Sequence, residues 1–252
     1  MFHLMMGNEW KCVVVCFALL CSVSAWSATT YSRVDELQSW GSCVDCADGK
    51  SNNASIATSA FHENPSRDGA SRDFWMSGSA YSNALWWRKL GVNNTAKNFI
   101  FDFWLKVASN TSAAQAFEFD AFQFIRGRRY MFGTQCSYGS GVWDIWNAGG
   151  WYWVHTKVPC RRFVPNVWYH IRMSFHRTSD FYMHYDKLVI VQYKSDGKTV
   201  AASNTYSFNK ALPSGWNPAG WADNVGVQFQ MDIGKYGAEM QEWVDQVHLI
   251  AW

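Results

Sequence analysis

The stretch Ala116-Phe-Glu-Phe-Asp-Ala-Phe-Gln-Phe124 alternates apolar and polar side chains over its first half. In an extended chain, Phe117 and Phe119 share one side, and Glu118 and Asp120 share the other. A period of two is the pattern of a β-strand that packs one face on a core. The sequence therefore predicts a strand over 116–124 that presents two neighbouring carboxylates on its second face.

Similar strand-like segments continue on both sides of this stretch, separated by turn sequences such as Ser195-Asp-Gly-Lys198. They are Ala84–Arg88, Asn98–Val107, Arg129–Cys136, Val142–Trp146, Tyr152–Val158, Trp168–His176, Met183–Tyr193, Thr199–Phe208, Val225–Ile233 and Trp243–Ala251. Many short strands at hairpin spacing, without a long segment of helical period, are typical of sandwiches and jelly rolls. We expect an all-β fold, an antiparallel β-sandwich or jelly roll.

The beginning of the chain has the pattern of a secretory signal peptide. Lys11 precedes the apolar run 12–21, and small residues lead up to Ala28. That run is shorter than the roughly 20 residues of a membrane-spanning helix. We therefore expect a signal peptide at 1–28 and a secreted protein, extracellular or periplasmic, without a membrane partner. Residues 29–70 are expected to form a loop-rich N-terminal segment packed on the domain, and 71–252 the β-sandwich.

Composition narrows the classes of partner. The net charge of the 252 residues is +2 and basic runs are absent, so no nucleic-acid partner is predicted. The 16 tryptophans are more than a core requires, and flat indole faces stack on pyranose rings. Large sheets also absorb aromatic residues, so both explanations remain open. A monomer that binds a polysaccharide or oligosaccharide is the expectation.

Four cysteines follow the predicted signal peptide, an even number that indicates two disulfides in an exported protein. Sequence proximity favours the pairs Cys43–Cys46 and Cys136–Cys160. The first pair also has the spacing of a redox or metal-binding motif, but neither a second such motif nor a histidine cluster accompanies it. Disulfides are therefore the preferred interpretation.

Two local motifs resemble the concanavalin A-like lectin/glucanase superfamily. Glu118-Phe-Asp-Ala-Phe-Gln123 resembles the E-x-D-x-x-E strand of laminarinase-type retaining glycosidases. Trp168-Tyr-His-Ile-Arg-Met173, followed by the Asp196-Gly197 turn, is similar to a strand and turn of laminin-G-like modules. The resemblance covers most of residues 70–252 and implies a jelly-roll sandwich. In the glycosidase strand it implies that Glu118 is the nucleophile and Asp120 its assistant.

The departure from that motif bears directly on activity, because Gln123 stands where the general acid is usual. An amide cannot donate a proton to a leaving oxygen, and losing general-acid catalysis costs ~10²–10⁴-fold. Either the protein binds without cleaving, with Gln123 as a ligand contact, or another strand supplies the acid. Asp232 is the candidate for that acid, and a separation near ~5.5 Å from Glu118 would imply a retaining mechanism.

Three further groups of residues are candidates for ligand contacts. Gln228 and Gln230 share the polar side of their strand with Asp232, where they would hydrogen-bond sugar hydroxyls. Four tryptophans inside the predicted Cys136–Cys160 loop would form a stacking platform: Trp143, Trp146, Trp151 and Trp153. His170 and Arg172 share one face of their strand, as basic residues do in jelly-roll polysaccharide lyases. Alternatively, the polar and charged side chains only face solvent, and the tryptophans only pack against the sheet.

Cofactors and metals are not indicated by the sequence. The histidines lack carboxylates at ligand spacing, so no metal site is predicted, and a structural calcium ion remains open without a recognisable site. The favoured function is binding of polysaccharide on a concave, Trp-rich sheet face. The alternative is an endo-acting, glucanase-like retaining glycoside hydrolase with Glu118 as nucleophile. A polysaccharide lyase and a structural surface protein are the remaining hypotheses.

Overall fold

The computed structural model describes residues 27–46, 54–217 and 220–252. In these residues the chain forms two antiparallel β-sheets packed face to face, which confirms the predicted all-β sandwich of the jelly-roll kind. The predicted signal peptide lies almost wholly outside the described residues.

All the strands pair antiparallel, and the sheets draw on segments from the whole described chain. The strands are β1 (Thr29–Tyr31), β2 (Gly41–Val44), β3 (Ala54–His62), β4 (Ser71–Gly78), β5 (Asn83–Gly91), β6 (Asn98–Val107), β7 (Ala114–Ile125), β8 (Arg128–Ser137), β9 (Val142–Asn147), β10 (Tyr152–Pro159), β11 (Trp168–Arg177), β12 (Tyr182–Tyr193), β13 (Val200–Pro213), β14 (Gly215–Trp216), β15 (Asn224–Ile233) and β16 (Ala238–Ala251). Short 3₁₀ helices lie at Val34–Glu36 and Ser109–Ala113. No helix in the described ranges is long and apolar enough to cross a membrane.

The strand order of each sheet brings distant parts of the chain together. Sheet A has the order β13-β12-β11-β6-β16-β4-β3, with β1 on β16. Sheet B has the order β10-β9-β8-β7-β15-β5-β2, with β14 on β8. The strand over 116–124 is thus part of β7, which lies near the middle of sheet B between β8 and β15.

Aromatic rings fill the space between the two sheets. Phe229 of sheet B has its ring centroid 5.6 Å from Phe101 and 5.2 Å from Phe103, both on sheet A. The alternation in β6 buries every second residue of that strand, as its sequence predicts. Each fully buried phenylalanine contributes about 1.5–3 kcal/mol relative to an exposed one. Many of the aromatic residues therefore serve the core.

The N-terminal segment differs from its prediction. Residues 29–70 were expected to be loop-rich, whereas β1, β2 and β3 extend both sheets there. Buried Arg72 ties the segment to β4 by donating from Nε to the Asp35 carbonyl at 2.7 Å and from Nη2 to Leu37 O at 2.9 Å. Pairing at the sheet edges and these bonds supply the order that the polar sequence does not reveal.

The two predicted disulfides are present. Cys43–Cys46 spans the end of β2, and Cys136–Cys160 joins β8 to the segment after β10. Both pairings are therefore confirmed, and they fit an extracellular protein.

The longest exposed strand lies at an edge of sheet A. Strand β13 pairs with β12 along one side, and most of its 14 residues are exposed. It contacts the core through Phe208, with Tyr206 and Leu212 partly buried beside it.

Candidate functional site

A set of polar side chains crosses four neighbouring strands on the outer face of sheet B. We call this set the polar row: Glu118, Asp120, Gln135, Asp144, Gln228 and Gln230. Glu118 pairs in register with Gln135 on one side and Gln230 on the other. The alternating Phe117 and Phe119 point into the core, which places Glu118 and Asp120 on the opposite face.

Asp120 is held at the centre of the row by donors from two directions. Gln228 Nε2 donates to its Oδ2 at 2.7 Å, and the backbone N–H of Thr134 donates to its Oδ1 at 3.2 Å. The side chain of Glu118 is also hydrogen-bonded to Asp120. Asp120 is only 1% exposed and Glu118 7%, so both carboxyls are nearly removed from water.

Burial and mutual repulsion change how this pair ionises. Burial, followed by the charges of Asp120 and Asp232, raises the pKa of Glu118 well above its usual range. Burial also raises the pKa of Asp120, to about 7, although the bond from Glu118 opposes the rise. Both shifts disfavour the doubly ionised pair, and the hydrogen bond from Glu118 to Asp120 is one that a protonated Glu118 can donate.

Asp144, on β9 two strands from Asp120, accepts a second set of hydrogen bonds. Gln135 Nε2 donates to its Oδ2 at 2.8 Å, and Nδ1 of His155 lies 2.7 Å from its Oδ1. Asp144 itself is buried, whereas the His155 side chain is 69% exposed. At the β9 end of the polar row, Asp144 is thus in contact with a histidine whose side chain is exposed to solvent.

Tryptophans flank the row on both sides. Trp87 of β5 is in register with Gln228, and Trp146 of β9 lies beside Gly133, the residue opposite Asp120. Trp153 packs against Trp146 at a centroid distance of 5.1 Å, and Trp151 lies 6.5 Å from Trp146. Trp151 is the most open of these, at 57% exposed. Trp146, Trp151 and Trp153 therefore lie together, and their role as a stacking platform stays a prediction.

Trp143 lies on the other side of the sheet. It is buried in the core, with its ring centroid 6.1 Å from that of Phe119. Because side chains alternate along β9, Trp143 and Trp146 point to opposite faces. Trp143 is therefore not available as a ligand contact, and the prediction for this residue is wrong.

Gln123 also faces the core. It is fully buried, and its Nε2 donates to Asn93 O at 2.6 Å and to Ala96 O at 3.2 Å. Strand β7 pairs with β8 without a register shift from Ala116 to Ile125, so Phe122, not Gln123, follows Asp120 on the outer face. The expectation that Gln123 contacts ligand is corrected: it anchors the loop before β6.

Asp232 lies on the outer face next to the row, opposite Ala116 of β7. Gln230 Nε2 donates to its Oδ1 at 2.8 Å, and its charge contributes to the raised pKa of Glu118. The structure therefore brings together Glu118, Asp120, Gln228, Gln230 and Asp232, as the sequence predicted.

His170 and Arg172 lie on the outer face of sheet A, the far side of the sandwich. His170 Nε2 is 2.8 Å from Asp102 Oδ1, and Arg172 Nη1 is 3.5 Å from Asp102 Oδ2. These two residues do not share a site with Glu118 or Asp120. The basic face that suggested a lyase is thus separated from the buried carboxyls.

Four residues at this face were not among the candidates that the sequence predicts: Trp87, Gln135, Asp144 and His155. The alternation of β8 and β9 placed Gln135 and Asp144 on defined faces, but only the strand order shows that those faces adjoin Glu118. Within the described ranges, no group of three histidine, cysteine or acidic residues is arranged to hold a metal ion.

Comparison with known proteins finds similar solved structures but no matching sequence family. No protein-family model and no curated protein sequence matches the chain. The family 11 carbohydrate-binding module of the cellulosomal cellulase Lic26A-Cel5E of Clostridium thermocellum is 12% identical, covers 91% of this chain and 97% of its own, and has a TM-score of 0.40. Peanut lectin is 8% identical, covers 90% of this chain and 99% of its own, and has a TM-score of 0.44. At these values any function has to follow from this chain's own side chains.

Proposed function

We propose that this protein is an exported carbohydrate-binding protein whose ligand, a polysaccharide or oligosaccharide, lies on the outer face of sheet B. The observation that carries the proposal is the combination of a polar row with tryptophans at both of its sides. Amide and carboxylate groups hydrogen-bond hydroxyls, and the most exposed members of the row are Glu118 at 7%, Gln135 at 8% and Gln228 at 9%. Indole faces cover the apolar faces of sugar rings.

The width of this surface suits an extended ligand. Trp146 and Trp87 lie on β9 and β5, which are separated by three strands. At about 4.8 Å per strand, the two tryptophans stand roughly 19 Å apart across the sheet. The polar row fills the strands between them and is already hydrogen-bonded within itself. A pre-organised floor of this kind reduces the entropy cost of binding.

Hydrolysis is the second candidate, and the Glu118–Asp120 pair is what favours it. A retaining glycosidase needs an ionised nucleophile and a protonated acid. The raised pKa of Glu118 favours its protonated form, which can donate a proton but cannot act as a nucleophile. Phe122 occupies the next outward position on β7, so the strand itself offers no third carboxyl. These features support binding more strongly than cleavage.

The test is saccharide binding by Trp87→Ala and Trp146→Ala, measured by affinity electrophoresis on β-glucans, xylan and alginate. We expect each variant to bind about tenfold more weakly than the wild type, a loss of about 1.4 kcal/mol. Trp75→Ala is the matched control, because Trp75 is a half-buried tryptophan on the outer face of sheet A. Equal losses in all three variants, or no binding to any glycan, would contradict the proposal.

A reducing-sugar assay on the same glycans separates the two candidate functions. Wild-type protein that binds without releasing reducing ends supports a binding protein. Release that disappears in Glu118→Gln would establish hydrolysis and assign Glu118 a catalytic role.

A further inference from the structure

A cavity of about 330 Å³ opens on sheet A, on the opposite side of the sandwich from the polar row. It is formed by the loop between β3 and β4, the end of β6, the residues that lead into β11, and the β12–β13 turn. Its volume is at the lower end of the range for small-ligand pockets. We call it the basic cavity.

Four basic side chains line the basic cavity: Arg67, Lys106, Lys194 and Lys198. Among the residues that the structure describes, none of these four forms an ion pair. Asp196 adds one negative charge to this lining, so the four cations leave a net positive charge that a bound anion would reduce.

Asp196 is the acidic residue in the lining, and its carboxylate is engaged by its own turn. Its Oδ1 accepts from the backbone N–H groups of Lys198 and Thr199, both at 2.8 Å, and its Oδ2 accepts from Thr199 Oγ1 at 2.6 Å. These bonds hold the pKa of Asp196 at about 2. The carboxylate therefore shapes the turn and leaves the lysines available to an external anion.

The wall of the cavity is fixed in place before any ligand arrives. Ser66 Oγ donates to Asp245 Oδ2 at 3.0 Å, and Arg67 Nη1 donates to the carbonyl of Gly197. The Arg67 guanidinium carbon lies 3.9 Å from the centroid of the Trp104 ring. Arg67 thus clamps the β12–β13 turn to the loop on sheet A.

Lys106 and Trp168 add a charged and an aromatic surface at the base. The Lys106 ammonium lies 5.8 Å from the Trp168 ring centroid, and partial burial lowers the pKa of Lys106. An anion beside this ammonium would offset the cost of its desolvation. The indole and Val167 supply apolar contact that a bare inorganic ion does not use.

We infer that the basic cavity is a second ligand site, which binds a sulfate or carboxylate group carried on a saccharide. The ligand's anionic group meets Lys106 and the lysines of the β12–β13 turn, and its ring packs beside Trp168. This site is independent of the polar row, because the two lie on opposite faces of the sandwich.

The test compares dextran sulfate, neutral dextran and inorganic sulfate by isothermal titration calorimetry at fixed ionic strength. We expect dextran sulfate to bind, dextran not to bind at this site, and inorganic sulfate to bind more weakly than dextran sulfate. Lys106→Gln and Lys198→Gln should each weaken dextran sulfate binding by about five- to tenfold. Lys198 is exposed, so its replacement guards against misfolding as the cause of a loss.

Lys157→Gln is the matched control, since Lys157 is an exposed lysine on β10 of sheet B. It should leave dextran sulfate binding unchanged, and all variants should leave glycan binding at Trp87 and Trp146 intact. An equal loss in Lys157→Gln would overturn the inference, because it would reveal general attraction of a polyanion. Binding of inorganic sulfate alone, or no binding by any of the three probes, would overturn it too.

Discussion

Gly133 and Trp146 lie so close across β8 and β9 that a methyl group on the glycine would come within 2.8 Å of the tryptophan Cβ. The same methyl group would lie 3.3 Å from Asp120 Oδ1. The absence of a side chain at Gly133 therefore lets Trp146 and Asp120 occupy adjacent positions of the site.

We expect Gly133→Ala to displace Trp146 and Asp120 together. Overpacking of this kind costs roughly 1–3 kcal/mol of folding free energy, and saccharide binding should weaken as well. Chemical denaturation and affinity electrophoresis measure the two effects. The control is Gly139→Ala in the β8–β9 turn, where a new methyl group meets no atom within 4 Å. If both variants behave alike, the close packing at Gly133 is unimportant.

Gln123 should contribute to stability and Gln228 to saccharide binding, although both are buried glutamines in sheet B. Gln123→Leu removes the donor to the Asn93 and Ala96 carbonyls, so we expect about 1–3 kcal/mol of destabilisation with unchanged affinity for saccharide. Gln228→Leu removes the bond to Asp120 and should reduce affinity. Weaker saccharide binding by a folded Gln123→Leu variant would show that Gln123 does contribute to the binding site.

The stability of the protein should fall between pH 4 and pH 7 because of a buried aspartate. Asp35 Oδ1 accepts from the Val247 N–H at 2.8 Å, and its Oδ2 has no hydrogen-bond partner among the described residues. Burial raises the pKa of Asp35 to about 7. The folded protein thus holds the proton more tightly than the unfolded chain, whose pKa is 3.8. The protonated Asp35 therefore contributes about 4 kcal/mol at most to the free energy of unfolding. This contribution is fully present below pH 4 and is lost as the pH rises through 7.

The variant Asp35→Asn isolates this effect. We expect its free energy of unfolding, from urea titrations at several pH values, to fall less steeply with pH than that of the wild type. Glu239→Gln, at an exposed position, should keep the wild-type slope. A wild-type slope in Asp35→Asn would show that other groups control the pH dependence.

The two disulfides should contribute unequally to stability. Cys136–Cys160 closes a loop with a sequence separation of 24, whereas Cys43–Cys46 closes one with a separation of 3. In the chain-entropy model these loops correspond to about 3.4 and about 1.6 kcal/mol. Replacing each pair by serine and measuring the unfolding midpoint tests the difference. The prediction fails if loss of Cys43–Cys46 proves the more damaging.

The alternation of side chains predicted most of the architecture. Every strand expected between residues 84 and 251 is present, and in most of them one face packs on the aromatic core. Strand β4 was not predicted, since it buries Arg72 and Asp73 as well as apolar residues. Arg72 donates to backbone carbonyls and Asp73 Oδ2 accepts from Gln241 Nε2 at 3.0 Å, and these distant partners cannot be inferred from a local pattern.

The candidate site was predictable within each strand but not between strands. Period-two spacing correctly placed Glu118 with Asp120 and Gln228 with Gln230. The contribution of Trp87 depends on β5 lying beside β15, a pairing of segments more than a hundred residues apart. Gln123 was predicted to contact ligand because it occupies the last position of the E-x-D-x-x-E motif. In this protein β7 pairs regularly with β8, so the Gln123 side chain points into the core.

Strand β13 has a consequence for how this protein behaves at high concentration. An edge strand exposes unpaired backbone groups that another molecule can extend by strand addition. Its outer stretch Ala201-Ala-Ser-Asn-Thr205 is small and polar, and Lys210 adds a charge nearer its end. Such a composition gives an incoming chain little apolar surface to bury. The sequence of β13 thereby protects the protein against sheet-to-sheet aggregation at its most open edge.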